Sequence, residues 1–154
     1  MLNNKFKLVY ILLVFTGFSF VTGCSRGPKP IEYGKDLCEH CSMTIMDKKW
    51  GAEYVSDKGK VYKFDSIECL LSYYLHNGLS GRTQENSLWT VDFVKGDELI
   101  NAEKAYYLKS NTLKSPMGLN VASFNTSGDL NKFRNNDDKI VSWVELISMV
   151  KAGW

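Results

Sequence analysis

The chain has 154 residues, with 19 basic and 17 acidic side chains that give a formal net charge of +2. The two signs are interspersed, without a basic run, which argues against a nucleic-acid-binding protein. Aromatic residues make up 13% of the chain, as expected for a packed, β-containing domain.

The N-terminus has the pattern of an export signal. Two lysines precede an apolar run at residues 8–21, which is short for a membrane span. The run ends in VTGC at 21–24, which resembles the lipobox of bacterial lipoproteins. The resemblance implies a lipoprotein signal peptide at 1–23, cleavage after Gly23 and acylation of Cys24. An uncleaved anchor helix and a plain secretory signal are the alternatives.

Acylation would fix the protein to a bilayer, because each buried methylene contributes about 0.8 kcal/mol. Ser25 follows the acylated position, and by resemblance to Gram-negative lipoproteins this favours the outer membrane. We therefore expect a membrane-anchored lipoprotein that faces the periplasm. Residues 24–36 are polar, with prolines and glycines and no core-forming pattern, and they are expected to form a tether. About 130 mature residues remain, enough for one compact core.

The rest of the chain predicts an α+β fold. Residues 50–64 alternate apolar and polar side chains around a DKGK turn, which predicts a β-hairpin. A helix is predicted over 65–78, with Asp65 or Ser66 as its cap and Glu68 as a capping-box acid. The later predicted elements are strands at 88–96, 104–110 and 117–125, a short helix at 126–135, and an amphipathic helix at 138–153.

A shift of 60 positions aligns residues 61–74 with residues 121–134, each with the order strand, phenylalanine, cap pair and helix. Chance similarity is the alternative. If the repeat is real, the domain at 37–154 contains two similar strand–strand–helix units, at about 37–80 and 88–154, packed together. A binding site at the seam between them is then expected.

The stretch DLCEHCSMTIMD at 36–47 brings together four sulfur atoms, from Cys38, Cys41, Met43 and Met46. Four interpretations of the C-x-x-C pair remain open: a disulfide, a thiol–disulfide exchange motif, structural zinc and a soft-metal site. Zinc is disfavoured, because no second C-x-x-C or H-x₃₋₅-H pattern is present. An exchange motif is disfavoured, because the residues that follow do not predict a helix start.

The soft-metal interpretation accounts for the most residues, because thiolate and thioether ligands together select Cu(I). In an extended segment, Cys41 and Met43 would present their sulfurs on one face. Met46 would point the other way, as a core filler. Cys69 is expected to be a small buried hydrophobe, and His40 either a ligand or a neighbour of the thiols. His76, near the end of its helix, is expected to interact favourably with the helix dipole.

Three motifs resemble the NosL family, the lipoprotein accessory factors of nitrous oxide reductase. CEHCSM at 38–43 is similar to the family's C-x-x-C-x-M motif, although Ser42 stands where glycine is usual. FDSIECL at 64–70 and SPMG at 115–118 follow in the family's order.

This resemblance implies a non-enzymatic Cu(I) chaperone with an α+β fold akin to that of organomercurial lyase. It implies delivery through a NosDFY-type transporter complex to nitrous oxide reductase. It implies Cys41 and Met43 as copper ligands, then Met117, with Cys38 as a third sulfur or an oxidisable partner. The 60-residue repeat further predicts that Met117 closes the site across the seam. The rival functions are a lipid-anchored thiol–disulfide oxidoreductase that uses Cys38 and Cys41, and a structural lipoprotein with a disulfide.

Overall fold

The computed structural model describes residues 27–81 and 87–153; the predicted signal peptide and Cys24 lie outside the described residues. Seven strands and three α-helices occur in this part of the chain: β1 (Ala52–Val55), β2 (Val61–Phe64), α1 (Ile67–His76), β3 (Leu88–Val91), β4 (Leu99–Asn101), β5 (Tyr106–Lys109), β6 (Val121–Phe124), α2 (Ser127–Phe133), β7 (Lys139–Val141) and α3 (Trp143–Ala152). Among the described residues, no helix has the length and apolar character needed to cross a membrane.

The strands form two antiparallel sheets, with the orders β2-β1-β3-β4 and β6-β5-β7. In both units the chain follows the same path. It forms a central strand (β1 or β5), then an antiparallel neighbour (β2 or β6), then a helix, and then a strand on the other side of the central one (β3 or β7). Strands β2 and β6 begin at Val61 and Val121, and the N-caps of the following helices are Ser66 and Thr126. These pairs keep the 60-residue shift, so the predicted α+β fold of two similar units is confirmed.

The main hydrophobic core draws on both sheets and on helices α1 and α3, while a smaller aromatic-rich cluster includes Leu130 of α2. The two units also meet through hydrogen bonds. Thr90 Oγ1 lies 2.8 Å from Ser123 Oγ, and the amide of Phe93 donates to the carbonyl of Ser123 at 2.8 Å. The seam between the units is therefore packed as part of one interior.

Several predicted elements are shorter in the structure, and two of these differences have a clear local cause. The strand predicted over 88–96 ends at Val91, because Asp92 accepts a hydrogen bond from the amide of Val94 and begins a turn. The helix predicted over 138–153 is preceded by β7, because Ser142 is the N-cap of α3 and forms a reciprocal capping box with Glu145. Strand β7 has only three residues, so its alternation of apolar and polar side chains cannot be distinguished in the sequence from the helical pattern that follows it.

The prediction of a tether without core contacts is wrong for its described residues. Ile31 is 9% exposed and belongs to the main core. The amide of Lys29 donates to Glu53 Oε2 at 2.9 Å, and Lys63 Nζ donates to the carbonyl of Pro30 at 2.8 Å and to Asp36 Oδ2 at 2.6 Å. These contacts fix the chain on the first sheet immediately before the cysteine motif.

Candidate metal centre

The first half of the centre is the cysteine loop, residues 37–44. An isolated antiparallel bridge between Leu37 and Thr44 closes it. Inside the loop, the amide of Cys38 donates to the carbonyl of Met43 at 2.8 Å, and the amide of Ser42 donates to the carbonyl of Cys38 at 2.9 Å. These bonds make the motif a compact turn, which orients its thiols before any metal binds.

The second half of the centre is the start of α1. Ser66 is the N-cap, and its hydroxyl accepts a hydrogen bond from the amide of Cys69 at 3.4 Å. The same hydroxyl donates to Asp65 Oδ1 at 3.2 Å. Cys69 therefore occupies the third helical position, so the predicted capping-box role of Glu68 is wrong. The cap fixes Asp65 and Cys69 on the side of the helix start that faces the cysteine loop.

Four ligand atoms converge between these two segments. The sulfurs of Cys38, Cys41 and Cys69 and a carboxylate oxygen of Asp65 all lie within 4.8 Å of one another. Cys38 Sγ is 3.5 Å from Asp65 Oδ1, and Cys41 Sγ is 3.4 Å from Asp65 Oδ2. All three cysteines are free thiols. This set of atoms can hold one metal ion without a large rearrangement.

Within the part of the chain that the structure describes, the cluster is open at one side. Cys38 and Cys69 are each 1% exposed and Asp65 is 4% exposed, whereas Cys41 is half-buried. A ligand from solvent or from another protein therefore reaches the cluster at Cys41. The two buried thiols are shielded, which limits competition from water.

The three thiols differ in their acidity. A hydrogen bond from Cys69 lowers the pKa of Cys38 to about 6, against the opposing effect of burial and with help from backbone amides. Burial raises the pKa of Cys41 to about 11, and the hydrogen bond to Cys38 raises the pKa of Cys69. Cys38 is therefore the first of the three to become a thiolate, the form that binds metals.

The structure brings together two of the four predicted ligands, Cys38 and Cys41. Met43 is 56% exposed, and Ser42 between it and Cys41 adopts a left-handed conformation with φ 61°. The extended geometry that would align Cys41 with Met43 is therefore wrong. The prediction that Met46 fills the core is also wrong, because its side chain is 69% exposed.

Cys69 is buried as predicted, but the prediction of a purely packing role missed its sulfur's place in the cluster. Asp65 was considered only as a possible cap, and the structure adds it to the candidate ligands. Asp65 directly precedes the N-cap Ser66 and so lies outside the helix, and no helical spacing in the sequence indicates that it pairs with Cys69.

Met117 lies on the loop between β5 and β6. It is half-buried and packs against the main core, to which Cys38 and Cys69 also belong. Its role as a ligand stays a prediction.

The two histidines lie together beside the centre. The rings of His40, which is exposed, and His76 stack with their centroids 5.9 Å apart. His76 is in the last turn of α1, and its Nδ1 lies 2.8 Å from the carbonyl of Ser72.

The fold and the cluster together define a class of protein: a small α+β domain with a thiol-rich site able to hold a metal ion. The NosL family model matches residues 30–147, and the chain belongs to the NosL family. Its fold is similar to the crystal structure of the copper chaperone NosL from Shewanella denitrificans, with a TM-score of 0.62. The two sequences are 21% identical, and the match covers 77% of this chain and 94% of that chain. No curated protein matches the sequence.

The left-handed Ser42 generates a stability prediction. A side chain in this region clashes with its own backbone, so Ser42→Gly is expected to stabilise the metal-free domain by up to about 1 kcal/mol, less the entropy that glycine adds to the unfolded chain. Denaturant unfolding of the reduced domain measures the change. Ser42→Ala is the matched control, since it removes the hydroxyl but keeps the strained backbone. Equal stability of Ser42→Gly and Ser42→Ala would contradict the prediction.

Proposed function

We propose that this protein is a copper chaperone that binds Cu(I) at the cluster of Cys38, Cys41 and Cys69 and passes it to a partner. The observation that supports this most directly is the convergence of three sulfurs within 4.8 Å, with a single open side. Thiolates favour Cu(I) over harder ions such as Mg²⁺ and Ca²⁺. The similarity to the copper chaperone from Shewanella denitrificans points in the same direction.

The carboxylate of Asp65 has a different role from the thiols in this proposal. Its oxygens are hard donors, which Cu(I) does not prefer. They lie within hydrogen-bond distance of the thiols of Cys38 and Cys41 in the metal-free site. We assign to Asp65 the role of orienting these two sulfurs.

The candidate donors keep Cys41, Met43, Met117 and Cys38 and add Cys69, and two or three of them would bind the ion at any one time. Met43 is exposed beside the half-buried Cys41, so its thioether is available to a copper ion at the open side. A thioether is neutral and exchanges more easily than a thiolate. Buried thiolates and accessible thioethers together would hold the ion and still permit its release.

Release would proceed by ligand exchange at the open side. An acceptor's sulfur or nitrogen approaches Cys41 and displaces one donor at a time, so the ion is never free in water. Cys38 and Cys69, which are shielded, would be the last donors to leave. This order requires no general acid or base, which fits a carrier rather than an enzyme.

The alternative is a thiol–disulfide oxidoreductase that uses Cys38 and Cys41. The lowered pKa of Cys38 favours it, since thiolates are the attacking species. The attacking thiol must also be accessible, yet Cys38 is 1% exposed. The accessible thiol is Cys41, whose pKa is raised. The acidic thiol is thus buried and the accessible thiol is weakly acidic, which supports metal binding over thiol–disulfide exchange.

We further propose that the acceptor is nitrous oxide reductase, reached through a NosDFY-type transporter complex, and that delivery takes place in the periplasm from a lipid-anchored protein. Membership of the NosL family supports these partners. The lipobox-like VTGC supports the anchor, with the outer membrane as the expected location.

Anaerobic titration of the reduced soluble domain against a Cu(I) chelator tests the proposal. We expect about one Cu(I) per monomer. Cys41→Ser should weaken affinity by more than about tenfold, because a hydroxyl is a poor ligand for a soft ion. Met43→Leu should weaken it less, since it removes a neutral donor and nearly preserves volume.

Met46→Leu is the matched control for Met43→Leu, because Met46 is also exposed and lies in the same segment but outside the proposed ligand set. It should leave affinity unchanged. Full affinity in the Cys38→Ser/Cys41→Ser/Cys69→Ser variant would refute copper binding at the cluster.

Mass spectrometry of the membrane-extracted protein tests the anchor. We expect a mature chain that begins at Cys24 and carries added acyl mass, because residues 1–23 have the features of a lipoprotein signal. Cys24→Ala should release or misprocess the protein but leave the Cu(I) affinity of its domain unchanged. A mature chain that begins elsewhere and carries no lipid would contradict the anchor.

A further inference from the structure

Glu68 is a buried acid in the first turn of α1, directly before Cys69. Its side chain is completely inaccessible, and it lies among the apolar residues Ile67, Leu70 and Leu71. A carboxylate at such a position loses its hydration, and burial accordingly raises the pKa of Glu68. An apolar side chain here would avoid this cost. The hydrogen bonds that Glu68 forms are therefore the reason to look for a role of the acid at this position.

Two hydrogen-bond partners of Glu68 come from the other structural unit. Its Oε1 accepts a hydrogen bond from the hydroxyl of Ser115 and another from the amide of Leu119 at 3.3 Å. These donors lie on either side of Met117 in the loop between β5 and β6. One carboxylate oxygen thus ties both ends of the loop tip to the helix that carries Cys69.

The loop has its own internal bonds as well. The amide of Asn120 donates to Ser115 Oγ at 2.8 Å, and the amide of Ser115 donates to Asn120 Oδ1 at 3.2 Å. Gly118 adopts φ 85° and closes the turn through a bond from its amide to the carbonyl of Ser115 at 3.2 Å. These bonds shape the loop, whereas the bonds to Glu68 determine where the loop lies on α1.

We propose that Glu68 is a positioning residue that holds the Met117 loop against the Cys69 helix and so sets the reach of the Met117 thioether over the copper site. This inference rests on the proposed function for the role of Met117. The anchoring of the loop by Glu68 is independent of copper. The two parts can therefore be tested separately.

The first test is hydrogen exchange of the metal-free, reduced domain. In Glu68→Leu, the amide of Leu119 should exchange about ten- to a hundredfold faster relative to the amides of β1, because its acceptor is lost. The amide of Asn120 should also exchange faster, because its acceptor, Ser115 Oγ, loses its own bond to Glu68. Glu68→Gln keeps an acceptor oxygen and should restore most of the protection.

Glu53→Leu is the matched control. Glu53 is an equally buried acid, but its carboxylate accepts a hydrogen bond from the amide of Lys29 and not from the loop. It should lower overall stability without a selective change in the loop. If the loop amides in Glu68→Leu accelerate no more than those of β1, Glu68 is only a stability residue and the inference is overturned.

The second test is a double-mutant cycle in Cu(I) affinity, with Met117→Leu introduced into the parent and into Glu68→Leu. If Glu68 acts through Met117, the loss caused by Met117→Leu should be about tenfold in the parent and under about twofold in Glu68→Leu. If Met117→Leu lowers Cu(I) affinity equally in both backgrounds, or does not lower it in the parent, the inference that Glu68 positions Met117 as a ligand is overturned. If the parent binds no Cu(I), the proposed function fails, and the exchange experiment still decides whether Glu68 anchors the loop.

Discussion

One carboxylate, that of Asp65, joins the cysteine loop to the helix that carries Cys69. Its two oxygens lie 3.5 Å from Cys38 Sγ and 3.4 Å from Cys41 Sγ, so a single group fixes both thiols. The hydroxyl of Ser66 donates a hydrogen bond to this carboxylate, and Ser66 is also the N-cap of the helix. Asp65 and Ser66 therefore link the helix start to the cysteine loop at the point where the three sulfurs converge.

The two-unit architecture explains why the site forms where it does. All four candidate ligand atoms of the cluster come from the first unit, between residues 38 and 69. The second unit adds a loop that docks on the start of the same helix through Glu68. In the corresponding position of the second unit, Thr126 caps a shorter helix, and Asp129 replaces Cys69 by the 60-residue shift. The repeat thus supplies a common scaffold, and the cysteine and aspartate atoms of the cluster all lie in one copy.

Much of this arrangement was predictable from local sequence. The DKGK turn, the cap at Ser66 and the repeat follow from short-range patterns that the structure confirms. The prediction of an extended Cys41–Met43 segment failed because Ser42 adopts a left-handed conformation, which is uncommon outside glycine and breaks the side-chain alternation. The prediction for Met46 failed because its neighbour Ile45 takes the buried side. Asp65 and Glu68 were assigned to helix capping because their actual partners are 24 to 51 positions away along the chain, beyond the range of periodicity arguments.

X-ray absorption at the copper edge of the anaerobically Cu(I)-loaded soluble domain tests the central claim most directly, because it identifies the donor atoms themselves. We expect a Cu(I) ion whose nearest neighbours are two or three sulfur atoms, with at least two of them lost in Cys38→Ser/Cys41→Ser. A spectrum dominated by nitrogen or oxygen neighbours, or one unchanged by that double substitution, would contradict the assignment of the thiol cluster as the copper site.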